Sequence, residues 1–566
     1  MAISNWETLS TDVLILGSGG AGLCAALHLA EARPSPSVII AVKGLFGKSG
    51  CTRMVQGGYN AVLHQPDSLE AHFRDTLEGG QWINHQELAW TLVREAPNRV
   101  LELENRVGCF FDRNPDGSVH QKPFAGQSHD RTVHKGDLTG IEIINRLSEQ
   151  VAALEPVILE ETRGMELIVD ESGGRVTGAL LLDLRKGSFV VVRAGATLLA
   201  TGGGPTMFKI TAASHDKSCD GVAMGFHAGA ELMDMEMVQF HPTGLLVGQN
   251  QISGTVLEEG LRGAGALLLN AEGERYMERY DPRLERATRD VVSRSSYMEI
   301  MAGRGTVEEG VLLDISHRGA DFVEKNFPGM TQRCRDVGFD LAREPVTVSP
   351  TAHFNMGGIA INPECRTSLE GLYAAGEDAS GVHGSNRLGG NGVAESTVFG
   401  GIAGDVIAGE LSLTSPKTTD QAAIEEMTKS SEAFLLRDEG PSVFELRDRM
   451  RETMWRRAGV VRTGEQLEQA LLELEELKND LSRARCPGGP VYNLAWNTAL
   501  NLKNSLDVSE AIVRSALARQ ESRGSHYRSD FPELNNREYL CNFILSRSDP
   551  APRRREVVMG RMTPPP

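Results

Sequence analysis

Gly17, Gly19 and Gly22 stand at the G-x-G-x-x-G spacing within Thr11 to Gly22, TDVLILGSGGAG. That spacing serves the holding of a dinucleotide pyrophosphate: a tight turn, close backbone approach and room for helix to pack on strand. The elements that must position it are present, an apolar strand before the turn and the helix LCAALHLAEA after it. The free N–H groups and positive dipole of the helix N-terminus then face the phosphates. A second strand, Ser37 to Val42, ends at Val42 and Lys43 without a carboxylate for a ribose hydroxyl, which disfavours NAD. A further strand, GATLLATGGG (Gly195 to Gly204), also ends in glycines, and two such ends imply one large ligand.

With 566 residues the chain has room for two to four domains. Sixty-one glycines and 5% aromatic residues suit a large α/β protein with many tight turns. A net charge of −18 argues against non-specific nucleic-acid binding. No apolar run nears the roughly 20 residues of a spanning helix, and no signal-like segment precedes Thr11. The expected location is cytoplasmic, either free or on the cytoplasmic face of the membrane through partner subunits. The eight cysteines, Cys24, Cys51, Cys109, Cys219, Cys334, Cys365, Cys486 and Cys541, form no C-x-x-C. Electrons handled here must therefore leave for a partner.

Along the chain, Gly44 to Gly58 is too glycine-punctuated for one helix and can lie along a cofactor. Helical patterns span Asp67 to Val107, and a polar stretch, Gln121 to Gly140, leads into the amphipathic helix IEIINRLSEQVAAL. From Glu231 the texture reads as loops dense in polar chemistry: MVQFHPTG, LEEGLRGAGALLLN, GERYMERYDP and ERATRDVVSR. The glycine-rich style returns near Ser349, so a capping domain is expected between two parts of the nucleotide-binding domain. Beyond about Thr418 the pattern is helical, and RRREVVMGRMTPPP reads as a flexible tail or partner contact.

Several ordered segments together carry a resemblance: GSGGAG, QGG at 56–58, FAGQS at 124–128, ATGG at 200–203, DG at 220–221, QFHPTG at 239–244, RYMERY with ATRDVVSR, HFNMGGI at 353–359, AAGED at 374–378, HGSNRLGGN at 383–391 and ESRGSHYRSDFPE at 521–533. In them the chain resembles the flavoprotein subunit of succinate dehydrogenase and fumarate reductase over nearly its whole length. The resemblance implies an α/β fold: a Rossmann-like FAD-binding domain (8–236 and 351–412), an inserted α+β capping domain (237–350), a C-terminal helical domain (418–520) and a C-terminal region (521–566). It implies FAD, held by Gly17, Gly19, Gly20, Gly22, Lys43, Cys51, Gln56, Gly57, Gly58, Thr201, Gly202, Asp220, Glu377, Arg387 and Asn391.

The same resemblance implies interconversion of succinate and fumarate. Its partner would be an iron–sulfur subunit, with a membrane-anchor or other electron-transfer subunit beyond. His241, Glu259, His353 and Arg387, with Phe124 and Gln127, would bind the dicarboxylate. Arg289 would move the proton, served by Glu259 and Arg262. Arg387 suits a bidentate grip on a carboxylate that lysine cannot imitate.

Three departures stand out. No histidine lies between Lys43 and Gln56; the place of the flavin-linking histidine falls on Cys51, so non-covalent FAD is expected. Losing a tether makes fumarate reduction relatively easier. Glu258 replaces a small hydroxyl residue, and GNGVAE at 390–395 differs from the usual run after GGN. The main alternative is L-aspartate oxidase, which places an acid at Phe124 and a histidine at Gln127; both positions here favour a substrate without an amine. Intact His241, Arg289, His353 and Arg387 argue against a non-catalytic scaffold.

Overall fold

The structure, a computed structural model, describes residues 6–171, 173–248, 250–411 and 421–565. Residues 412, 418–420 and 566, at the edges of expected segments, lie outside them. Strand Glu7–Leu16 carries the apolar run Val13 to Leu16, wholly buried, as a strand covered on both faces must be. It pairs in parallel with Val38–Ala41 on one side and Ser188–Leu199 on the other. Val157–Leu159 extends the sheet beyond Val38–Ala41, while Val176–Asp183 and Thr162–Val169 add antiparallel strands beyond Ser188–Leu199. Strand Leu372–Ala374 returns late in the chain to the same sheet, parallel to Thr197–Leu199. The sheet thereby gathers the C-terminal ends of Glu7–Leu16, Ser188–Leu199 and Leu372–Ala374 at one edge, where ligands of open α/β sheets sit.

A second layer begins at strand Val238–Leu245, which pairs antiparallel with Val346–Asn355, so the chain leaves and returns side by side. Val311–Asp314 and Leu267–Leu269 complete that sheet. It has its own core, including Leu245, Leu261, Leu268, Tyr276, Val292 and Val348. The MVQFHPTG segment, expected as a loop, is mostly this strand, and ATRDVVSR opens the helix Arg289–Glu299. Both faces of the strand are buried. Phe240 packs edge-on against Phe208, whereas the alternate Gln239 and His241 carry polar partners, so the polar period masked an ordinary strand alternation.

Helices Gln421–Leu436, Val443–Ala458, Gly464–Arg483 and Leu494–Ala518 pack together at the C-terminal end. The longest is anchored at its start by Asn493, whose side chain accepts from Trp496 N, and reaches the nucleotide end through Asn504, which donates to Asp220 at 2.8 Å. Arg553–Glu556 corrects the expectation of a flexible tail. Its backbone pairs with Cys541–Leu545 as an edge strand, while its side chains stay exposed and Arg555 meets Glu231 at 2.5 Å. Among the described residues no helix is long and apolar enough to cross a membrane.

Candidate active site

A cavity of about 400 Å³ runs from the first glycine turn to the seam with the inserted layer. At the glycine end Gly17 adopts φ +112°, and a Cβ there would lie 2.1 Å from the Ala200 carbonyl oxygen. A Cβ on Gly22 would lie 2.0 Å from the Gly17 carbonyl oxygen, so this glycine serves close packing rather than the cavity wall. Helix Gly20–Leu29 starts on a glycine N-cap with no acid in its first turn; the Thr52 hydroxyl accepts from Gly20 N at 3.0 Å, and the N-terminal dipole favours an anion there. Lys43, at the end of the second strand, reaches Asp220 at 2.8 Å and the Ser218 hydroxyl at 2.7 Å. Arg163 holds the other Asp220 oxygen at 3.0 Å. Burial brings Lys43 down to about 8, whereas Lys43 and Arg163 overcome burial to keep the Asp220 carboxyl far below its ordinary value.

Between the two ends lie Cys51, Gln56, Gly57, Gly58, Thr201, Gly202 and Glu377. Buried Lys217 pairs with Glu377, and the Glu377 carboxylate also accepts from Asn355 N at 3.0 Å. The Cys51 sulfur accepts from Ser214 N at 3.4 Å, and burial pushes its thiol above the ordinary value. Two cavity-side polar atoms, Gln56 Oε1 and Arg387 Nε, are buried without a partner. A helix N-terminus with no acid in its first turn, a glycine cradle and unsatisfied polar atoms along one elongated cavity fit a flavin dinucleotide.

At the far end the polar side chains converge. Arg289 donates from Nε and Nη2 to one Glu259 oxygen at 2.8 and 2.7 Å, and Arg262 Nη2 lies 3.5 Å from the other oxygen. Gln239 Oε1 accepts from Arg289 Nη1 at 3.1 Å, while its amide donates to Asn386 Oδ1 and the Arg387 carbonyl at 2.8 Å. Phe124 Cδ2, Arg289 Nη2 and Glu259 Oε2 all crowd the place a Cβ would take on Gly389, at 2.6, 2.9 and 3.1 Å. The His241 and His353 rings stand 5.4 Å apart, and the Arg387 guanidinium lies 4.3 Å over the Phe354 ring. Among the described residues Arg387 meets no carboxylate.

Burial, with Arg289 and the neighbouring cations, holds His241 well below its ordinary value, and burial with Arg387 does the same to His353. Thr243 N donates to His241 Nδ1 at 3.3 Å, and the Thr243 hydroxyl, which donates to the Leu257 carbonyl at 2.7 Å, stands 3.2 Å from the same ring nitrogen. Burial and the charge of Arg289 bring Arg387 down to about 9. Burial pushes the Glu259 carboxyl up, but Arg289 and Arg262 overcome it and keep the group ionised. The outcome is an excess of positive charge with neutral donors beside it, a receptor for a small dianion.

The structure thus brings Phe124, His241, Glu259, Arg289, His353 and Arg387 onto one wall, with Gly17, Gly19, Gly20, Lys43, Cys51, Gln56, Gly57, Gly58, Thr201, Gly202, Asp220 and Glu377 lining the remainder. Four expected residues stand off the wall. Gly22 packs behind the turn, and Arg262 lies behind Glu259, donating to the Glu285 carbonyl at 2.6 Å. Gln127 spends its amide on the Gly389 carbonyl at 2.9 Å, and Asn391 is turned into the core against Asn60, His72 and Thr76. Sequence reasoning missed Gln239, which its place in QFHPTG could have flagged, and Lys217 and Arg333, which carry no motif signal.

Comparison with known proteins identifies the family. Residues 12–393 match the model of the FAD binding domain, and residues 447–566 match that of the fumarate reductase flavoprotein C-terminal region. The chain is 43% identical to one subunit of the fumarate reductase (CoM/CoB) of Methanothermobacter marburgensis, over 96% of this chain and 98% of that one. It is 35% identical to the succinate dehydrogenase flavoprotein subunit of Rickettsia bellii, over 94% and 91%. The solved flavoprotein of Escherichia coli quinol fumarate reductase, in a mutated form, superposes with a TM-score of 0.92 at 32% identity, covering 99% of this chain and 98% of that one. The chain is an FAD-dependent oxidoreductase and belongs to the fumarate reductase and succinate dehydrogenase flavoprotein subunit family.

Proposed function

We propose that this chain interconverts succinate and fumarate at the seam, with fumarate reduction as the working direction, and passes electrons through an iron–sulfur partner. The observation that carries the reading is the Arg387 guanidinium, buried, without a carboxylate partner among the described residues, and facing the same cavity as Arg289. A dicarboxylate supplies the missing charge. Arg387 grips one carboxylate through a fork, and neutral His241 donates Nε2–H to the ligand, with His353 beside it. Phe124 closes the wall and excludes water. Arg289 holds the proton destined for the substrate carbon, and Glu259 with Arg262 behind it restores that proton. Bound FAD supplies the two-electron chemistry at the carbon–carbon bond.

A non-covalent flavin is supported by the absence of histidine between Lys43 and Gln56, and by the Cys51 thiol being held protonated through burial. The untethered flavin favours reduction of fumarate. Partnership with an iron–sulfur protein is supported by the kinship to one subunit of a fumarate reductase and by the lack of any C-x-x-C in this chain. Assays of the purified protein with fumarate and a reduced one-electron dye, and with succinate and an oxidised dye, test the reading. Turnover with both is expected; turnover with aspartate and oxygen alone would replace it with an aspartate oxidase.

A further inference from the structure

The diacid end of the cavity holds a second carboxyl that the chemistry above leaves unused. Glu258 immediately precedes Glu259, its side chain is 2% exposed, and it lines the same cavity as Phe124, His241 and Arg289. The two neighbours are treated differently. Glu259 has Arg289 on one oxygen and Arg262 near the other, whereas among the described residues no arginine pairs with Glu258. The cation within reach is Lys122, at the long distance of 3.5 Å. Lys122 is shared, since it also donates to the Gly136 carbonyl at 3.3 Å and stands 5.9 Å from the Phe124 ring centre.

Among the described residues no other cation forms an ion pair with Glu258. Asp137, which accepts from Met330 N at 3.2 Å, presents a carboxyl from the loop before helix Thr139–Ala152, and Glu259 is an ionised acid on the same turn. His241, across the cavity, is neutral. Arg333 also lines the cavity, but it donates to the Val256 carbonyl at 2.8 Å. Burial pushes the Glu258 carboxyl up, Asp137 and Glu259 add to it, and Lys122 only partly opposes them. A dianion entering here meets a carboxyl that either stays charged and repels it or holds a proton and donates to it.

We propose that Glu258 takes up a proton from solvent as a dicarboxylate binds and donates its O–H to one ligand carboxylate, making diacid uptake proton-linked. The inference rests on the cavity being a dicarboxylate site. The proton stays on Glu258 while the ligand is bound and returns to solvent on release, with no bond to carbon and no electron moved. It is distinct from the proton Arg289 carries to the substrate.

Calorimetric titration of the FAD-loaded protein with malonate, a diacid with no CH–CH bond to oxidise, tests this. Run in two buffers of different ionisation heat, it counts protons directly. Between about pH 6.5 and 8, where the ligand is fully ionised, wild type is expected to take up protons, approaching one per ligand toward the alkaline end. Its affinity there falls toward tenfold per pH unit. Glu258→Gln keeps an N–H donor and should bind with no uptake from this group and a flat pH profile. Malonate binding without proton uptake in wild type, or the same uptake in Glu258→Gln, overturns the proposal while leaving the dicarboxylate site standing. Failure of malonate, succinate and fumarate to bind at all overturns both.

Discussion

Arg289 and Glu259 meet through two donors on one oxygen, Nε at 2.8 Å and Nη2 at 2.7 Å, in a place where both side chains are under a tenth exposed. A contact of that kind fixes the guanidinium plane and leaves Nη1 on Gln239, so the arginine cannot swing freely to solvent. It comes from two separate stretches, EEGLRG and ATRDVVSR, brought together by the inserted sheet and the helix Arg289–Glu299.

Replacing Arg289 with glutamine removes the proposed proton carrier but not the cofactor's cradle, which is built from other segments. Turnover of fumarate is expected to fall by about 10² to 10⁴-fold or more. The visible flavin spectrum of the purified variant should be unchanged in stoichiometry. Unchanged turnover would remove Arg289 from the mechanism.

Glu259→Gln tests the same pair from the other side. It leaves Arg289 and Arg262 buried without their shared carboxylate. Breaking a buried pair this way costs about 3 to 5 kcal/mol. A lower thermal midpoint together with slowed turnover is expected, read by a fluorescence melt and a dye assay on one preparation. A variant as stable and as fast as wild type would contradict the relay.

Arg387→Gln should weaken diacid binding rather than the chemistry alone. Losing a buried charge partner for a carboxylate is worth about 2 to 5 kcal/mol, or at least roughly 30-fold in the malonate dissociation constant. Arg387 also lies against Phe354, so a Lys variant keeps the charge but loses the fork and the ring contact, and should recover little. Full affinity in the Lys variant would mean that charge alone suffices.

Much of this was legible in the sequence, and the rest was hidden for identifiable reasons. The glycine turn announced itself because Gly17 and Gly22 leave no room for a Cβ beside backbone oxygens, a demand that sequence spacing expresses directly. His241 and Arg387 were legible through their motifs. The strand Val238–Leu245 was not, because its polar residues Gln239, His241 and Thr243 face partners in a buried site and imitate a loop's composition. Gln127 and Asn391 looked like cavity residues, yet their amides are taken by Gly389 and by Asn60 with Thr76, choices set by tertiary contact. Lys217, three residues before the DG pair, belongs to no motif itself and reaches Glu377 only through folding. The Arg553–Glu556 strand depends on a free sheet edge that no local pattern reveals.

The flavin is expected to leave the polypeptide on denaturation. Acid precipitation followed by ultrafiltration should put the yellow colour in the filtrate, because no histidine lies between Lys43 and Gln56 and the Cys51 thiol is held protonated. Colour retained by the precipitated chain would show a covalent bond, with Cys51 the first residue to substitute.

Acid should destabilise the protein. Burial holds His241, His353 and His526 well below the ordinary histidine value, and brings His72 and His134 down to about 4. Unfolded, each titrates near about 6.5, so below that pH the unfolded chain binds more protons. Their contribution is fully present above about 6.5 and is lost as pH falls toward 4. His28 and His227 act oppositely: partner acids outweigh burial and raise them, so their contribution is present below about 6.5 and lost as pH rises past their folded values. Asp234 and Asp378, pushed up to about 7 by burial, also take up protons in the folded chain over this interval and oppose the loss; the depressed histidines are the more numerous, and the thermal midpoint should fall between about pH 7 and 5. A midpoint that holds or rises over that interval would contradict the buried, neutral histidines.

A structure of the FAD-loaded protein with fumarate bound puts the dicarboxylate seam to its sharpest test. One carboxylate is expected on the Arg387 fork, with His241 Nε2 within hydrogen-bonding distance of the ligand and an Arg289 nitrogen against a carbon of the double bond. Fumarate bound elsewhere, or lying in the cavity with Arg289 turned away from it, would overturn the assignment of the seam as the site of reduction.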